Sequence, residues 1–168
     1  RKTGRLIWKT PGHAAAYSAF VAGKLGGRRQ FIGYDSGSVG GWDPATGGRL
    51  WEHVPREGAD FNVTTPLIHD DQLLLATENN ATRLHAFLPD GKINPKPAMA
   101  NGSLAPDTCS PIIVGDRVFA TAYGEMYCLD LKDKLKTVWV AEDDMFYDHS
   151  NVIGGNGRGL VWTQSGDL

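Results

Sequence analysis

The chain has 168 residues, with 17 Lys and Arg against 19 Asp and Glu for a formal charge of −2. That length suffices for one globular domain with a core, and the near-neutral balance argues against nucleic acid, because there is no basic surplus to neutralise a row of phosphates. No apolar run approaches the roughly 20 residues of a membrane span, while 21 Gly and 9 Pro signal many turns and few long helices.

Taken in chain order, the elements repeat. Thr3-Gly4-Arg5-Leu6-Ile7-Trp8 predicts a lone outer strand at Arg5–Lys9, and the same phrase, T-G-x-x-x-W, returns 43 residues later as Thr46-Gly47-Gly48-Arg49-Leu50-Trp51. Between and around them the alternation of apolar and polar residues predicts strands at Tyr17–Gly23, Arg29–Tyr34, Ser38–Trp42 and Arg49–Val54. A second set follows at Val63–His69, Gln72–Thr77, Thr82–Leu88 and Lys92–Met99, the last a poor strand because its prolines remove ladder donors. A third set is expected at Cys109–Val114, Arg117–Tyr123, Glu125–Leu131 and Lys136–Ala141, and two inner strands close the chain at Ser150–Ile153 and Gly159–Thr163.

A second phrase keeps phase with the first. Thr65-Pro66-Leu67-Ile68 leads into Asp71–Ala76, and 45 residues on Ser110-Pro111-Ile112-Ile113 leads into Asp116–Thr121. A period near 44 built only from short strands and turns fits one four-stranded propeller blade. Helical solenoids of similar period fail because Gly and Pro interrupt every helical window.

At Trp42-Asp43-Pro44-Ala45-Thr46-Gly47-Gly48-Arg49-Leu50-Trp51, and in weaker form at Tyr127-Cys128-Leu129-Asp130 followed by Trp139, the chain resembles the PQQ-binding-like β-propeller repeat family. Its members include quinoprotein alcohol dehydrogenases and the lipoprotein of the outer-membrane barrel assembly machinery. The resemblance implies an all-β propeller of four-stranded antiparallel blades, about four blade-lengths of a ring of seven or eight. The expected organisation is one partial domain over 1–168, with repeats at 11–54, 55–101 and 102–141 and incomplete blades at 1–10 and 142–168. It also implies a bacterial protein, periplasmic or secreted. Because the chain opens on Arg1 and stops where a third strand should begin, the expectation is a fragment of a longer polypeptide or a homodimer that completes the ring. Trp8, Trp51 and Trp139 are expected to wedge between blades.

Under this phase one rim of the channel gathers polar residues. The candidates are His13, Glu78, Asn79, Asn80, Asp107, Asp148 and His149. Family members with quinone chemistry hold PQQ over Ca²⁺ with carboxylate and amide oxygens, and many place a disulfide of adjacent cysteines beside it. Here Cys109 and Cys128, the only two cysteines, fall on first and third strands and are expected as free buried thiols. The preferred function is a non-catalytic binding or scaffold module for a protein or small ligand, with no cofactor and no assigned metal. The alternative is a fragment of a PQQ- or metal-dependent oxidoreductase. Expected partners are a protein or the remaining blades of the same propeller, with no nucleic acid and no membrane span.

Overall fold

The computed structural model describes residues 3–147 and 149–168. Their strands form three four-stranded antiparallel sheets and a two-stranded hairpin, each in sequence order from one edge to the other. Blade 1 is β1 (Val21–Leu25), β2 (Arg28–Tyr34), β3 (Val39–Trp42) and β4 (Arg49–His53). Blade 2 is β5 (Leu67–His69), β6 (Gln72–Thr77), β7 (Ala81–His85) and β8 (Met99–Asn101). Blade 3 is β9 (Ile112–Val114), β10 (Arg117–Ala122), β11 (Glu125–Asp130) and β12 (Lys136–Glu142), and β13 (Ser150–Gly155) pairs with β14 (Arg158–Thr163). The all-β propeller architecture expected from the period is therefore present, as successive blades.

Local sequence dictates these joints. Each first strand turns into its second through two residues, and left-handed φ recurs there: Gly26 and Gly27 at +56° and +78°, Asp70 and Asp71 at 45° and 60°, Asn156 and Gly157 at 50° and 72°. Such turns match the twist of paired strands, and Gly, Asn and Asp tolerate them best. A bulge at Gly41/Trp42 recurs at Cys128/Leu129 in blade 3. In blade 1 it sends Arg49 over the Trp42 ring, with Cζ 4.7 Å from the centroid, while Trp51 faces the opposite way toward Phe87 of blade 2.

The core lies between blades. On β6, Leu73 and Leu75 join blade 1 in one buried cluster, and Leu74 joins blade 3 in another. The period-2 alternation of a strand thus feeds two seams at once. Hydrogen bonds stitch the blades as well: Gly26 N donates to Asp71 Oδ1 at 3.0 Å, Thr65 N to Ser110 Oγ at 2.9 Å, and Asn101 Nδ2 to Leu135 O at 2.8 Å.

The structure departs from the sequence expectations at named places. Arg5–Lys9 forms no strand, since no ladder partner lies beside it among the described residues. The fourth strand of blade 2 is Met99–Asn101 instead of Lys92–Met99, because Pro95 and Pro97 cannot donate and the ladder resumes beyond them; only an isolated bridge, Phe87 to Ile93, marks the earlier stretch. The first strands begin later than expected, at Val21, Leu67 and Ile112, leaving the residues before them as rim loops. Trp51 is 4% exposed between blades as expected. Trp8 instead lies against blade 1, where its Nε1 donates to Pro44 O at 2.9 Å. Trp139 is 42% exposed and stacks only against Phe119 of its own blade, 6.0 Å away. Cys109 and Cys128 are free and buried.

Candidate functional site: an acidic, aromatic rim

Antiparallel blades place the loop before each first strand and the turn between second and third strands at the same end of the channel. In blade 2 these two pieces are knotted together. Glu78 Oε1 accepts from Phe61 N at 3.1 Å, and Asp60 Oδ1 accepts from Asn79 N at 2.7 Å. Asn80 Nδ2 donates to Asp60 Oδ2 at 2.6 Å and to Glu57 O at 2.8 Å, while its Oδ1 accepts from Glu57 N at 3.0 Å. Left-handed φ at Ala59, Asn62 and Ala81 lets the loop double back to make these bonds.

In blade 3, Asp107 Oδ1 accepts from Thr108 N at 2.7 Å, and Thr108 Oγ1 meets His149 Nδ1 at 3.2 Å. Tyr123, in the turn between β10 and β11, is 62% exposed. Partial burial raises its phenol pKa, and the carboxylates of Asp107, Glu78 and Asp60 raise it further. One ring therefore senses acids from two blades.

Of the predicted residues, Glu78, Asn79, Asn80, Asp107 and His149 lie around this stretch of rim. His13 stands apart, with Nε2 3.9 Å from Glu52 Oε1. Asp148 lies outside the described residues. Sequence reasoning missed Tyr123, which reads as the last residue of an apolar strand; its Tyr123-Gly124 pair, with φ of 50° and 87°, is the turn signal that identifies it. It also missed the bracing role of Asp60.

A second acidic spot is already neutralised. The ligand atoms of His13, Asp35 and Glu52 lie within 4.8 Å of one another, yet Arg49 Nη1 sits 3.1 Å from Asp35 Oδ2 and 3.2 Å from Glu52 Oε1. Burial pushes the Asp35 carboxyl up, but the Gly37 amide, the Ser38 hydroxyl and amide, and Arg49 outweigh it and hold it below the ordinary range. A guanidinium in that position opposes a metal cation. Among the described residues no other trio of His, Cys, Asp or Glu converges so closely, and Glu78 and Asp107 already accept from backbone amides. A hollow of about 480 Å³ lies against Trp8, Phe20, Phe31 and Trp42 of blade 1; of the predicted residues it touches His13 alone.

Charge is distributed unevenly between the two ends. Beside the Asp35 that Arg49 neutralises, rim segments carry Glu57, Asp60, Glu78, Asp107, Glu125, Glu142, Asp143 and Asp144 against Arg56. The turns at the other end carry Lys24, Arg28, Arg29, Lys92, Lys96, Lys132, Lys134, Lys136 and Arg158 among fewer acids. Exposed aromatic rings, Tyr17, Phe61, Tyr123 and Tyr147, are interleaved with the rim carboxylates.

The family model described as outer membrane protein assembly factor BamB matches residues 1–163. Among solved structures, BamB from Moraxella catarrhalis superposes with a TM-score of 0.54 at 18% identity, covering 83% of this chain and 44% of that one. The chain thus spans less than half the length of that protein. No curated protein sequence matches it.

Proposed function

As the chain belongs to the family described as outer membrane protein assembly factor BamB, we propose that it is a non-catalytic scaffold module of outer-membrane protein assembly, periplasmic, which docks a basic protein segment on its acidic rim. The observation that carries this reading is the state of the rim carboxylates. Glu78, Asp60 and Asp107 spend hydrogen-bonding capacity on bracing loops, which leaves a rigid acidic surface studded with exposed rings. Rings that are rigid and amphipathic make good anchors at protein interfaces, and complementary charge steers the encounter. No helix among the described residues is long and apolar enough to cross a membrane.

The rest of a fourth blade is the other partner the molecule suits, completing the β13–β14 hairpin beside the hollow of about 220 Å³ between Phe119, Trp139, Val152 and Val161. Whether that blade comes from a longer polypeptide or a second copy, it would cover Trp139 as blade 2 covers Trp51.

The test is binding to purified outer-membrane assembly components at low and high salt. Tyr123→Ala combined with Glu78→Gln and Asp107→Asn should weaken binding about tenfold or more and flatten its salt dependence. Lys132→Gln with Lys134→Gln at the opposite end should leave it unchanged. The reverse pattern would refute rim docking.

A further inference from the structure

Blades 1 and 2 meet through layers of rings. Trp51 meets Phe87 edge-on at 5.4 Å. Beside them His53 of β4 and His85 of β7 lie 4.9 Å apart, tilted by 55°. Tyr34 of β2 and Arg83 of β7 share the seam on the rim side.

The hydrogen bonding of His85 fixes its chemistry. The ring is 1% exposed, and Nδ1 lies 2.9 Å from Asn94 O. A carbonyl can only accept, so Nδ1 carries the proton and Nε2 keeps its lone pair in the neutral ring. Nε2 is buried without a partner, as are Arg83 Nε and the Tyr34 hydroxyl. The charged and titratable groups around the ring are thus His53 from blade 1 and Arg83 from its own strand; Tyr34 and the Asp60 carboxylate act on Arg83 from farther toward the rim. A second proton on His85 would be buried, unpaired and beside a guanidinium.

We propose that the His53–His85 contact is an acid-operated latch, closed while both rings are neutral and released when His85 takes up a proton, so that blade 1 separates from blade 2. Burial, opposed by the Asn94 hydrogen bond and reinforced by His53 and Arg83, pushes the His85 pKa down to about 4, against an ordinary value of 6.5. Burial and Arg83 lower His53 in the same direction. Between those two values the open seam binds a proton that the closed seam refuses. The latch is therefore fully closed above pH 6.5 and loses its hold as pH falls toward 4. The loop above it spans the seam, since Asn62 Nδ2 donates to Asp35 O of blade 1 at 3.0 Å while Asp60 binds Asn79 and Asn80 of blade 2. Release thus pulls on the rim.

The test follows the full chain by NMR. The His85 ring should stay neutral until pH is near 4. The Trp51 indole N–H, buried in the same seam and bonded to Gln30 Oε1, should lose up to about a hundredfold of its exchange protection on acidification, after correction for the intrinsic rate. Backbone amides shared by β10 and β11 should keep theirs. His85→Asn retains a donor for Asn94 O without titrating, and its Trp51 protection should change much less with pH over that range, since His53 is then the one seam histidine left to take up a proton. Titration of His85 near 6.5, or flat Trp51 protection in the parent chain, would overturn the proposal, and so would equal acid loss in His85→Asn. If that variant does not fold, the ring titration and indole exchange of the parent decide the matter alone. Failure here would leave rim docking untouched, because the two are measured by different readouts.

Discussion

Blade 2 is flanked by two seams of different chemistry. Toward blade 3 it offers Leu74 and Leu84, which meet Leu104, Val118, Ala120 and Leu129 in an apolar cluster. Polar bonds there are few, a buried one from Thr82 Oγ1 to Leu104 O and, at the margin, those from Asn101 to Leu135 and Thr137. Toward blade 1 the apolar set of Leu25, Ile32, Leu73 and Leu75 shares the seam with Gln30, His53, Arg83 and His85. Both seams join blades of one topology and period. The repeat therefore specifies how strands pair within a blade, and leaves the facing side chains free to make one seam a plain hydrophobic joint and the other a polar, titratable one.

Single substitutions can break this contrast, and the tryptophans should show the largest effect. Trp51→Ala removes a buried ring from the polar seam and strands Gln30 Oε1, and should cost about 3 to 5 kcal/mol in urea unfolding. Trp139→Ala removes a ring that is 42% exposed and should cost well under half as much. Equal losses would mean that Trp139 is covered in solution.

Gly41→Ala probes how tightly the polar seam is built. A Cβ there would lie 2.0 Å from Gln30 Oε1 and 2.3 Å from Trp51 Nε1, so one partner of that hydrogen bond must move, at about 1 to 3 kcal/mol. Gly102→Ala meets nothing within 4 Å and should stay within about 0.5 kcal/mol of the parent. Both are read from urea midpoints.

Much of the fold was legible in the sequence because its cues are local. The T-G-x-x-x-W phrase, the two-residue turns and the strand alternation each act over a few residues, and they located β2, β6, β10, β11 and β14 closely. What depended on distant partners was not legible. Arg5–Lys9 carries the strand phrase but has no ladder beside it, and Trp139 carries the wedge but faces a two-stranded hairpin across a hollow, where Trp51 faces a four-stranded blade. The rim was legible as a place, since the phase alone puts Glu78, Asn79 and Asp107 at one end. Its chemistry was not, because only the folded loop shows Asp60 bracing Asn79 and Asn80, or Arg49 neutralising Asp35 and Glu52. The His53–His85 contact joins residues 32 apart in sequence, on strands that give no sign of facing each other.

A smaller effect is expected at Asn101 on the margin of the apolar seam. Its Nδ2 donates to Leu135 O and Thr137 Oγ1, and its Oδ1 accepts from Ser103 N and Leu104 N. Asn101→Ala should cost roughly 1 to 2 kcal/mol, less than the number of bonds suggests, because the freed groups at this half-buried site can bond to water. A loss as large as that of Trp51→Ala would show that the apolar seam, too, depends on polar stitching.

The smallest expected signal is the absence of one, and it separates the two seams most cleanly. Cys109 and Cys128 are both buried in blade 3, and burial raises the Cys128 thiol pKa further above neutral, with Asp130 adding to the rise and Arg117 opposing it. A thiol must be exposed and ionised to react, so neither cysteine should be labelled by a maleimide or disulfide reagent in the native chain at neutral pH. Acidification by itself slows thiol chemistry, so the comparison needs a brief acid pulse followed by labelling at neutral pH, before any opened region closes. If acid releases only the seam between blades 1 and 2, blade 3 remains packed through the pulse and both thiols stay unlabelled, while full denaturant exposes both. Labelling of Cys128 after the pulse, at the rate seen in denaturant, would mean that protonation unfolds the three blades as one cooperative unit. The apolar seam would then be no more resistant to acid than the polar one.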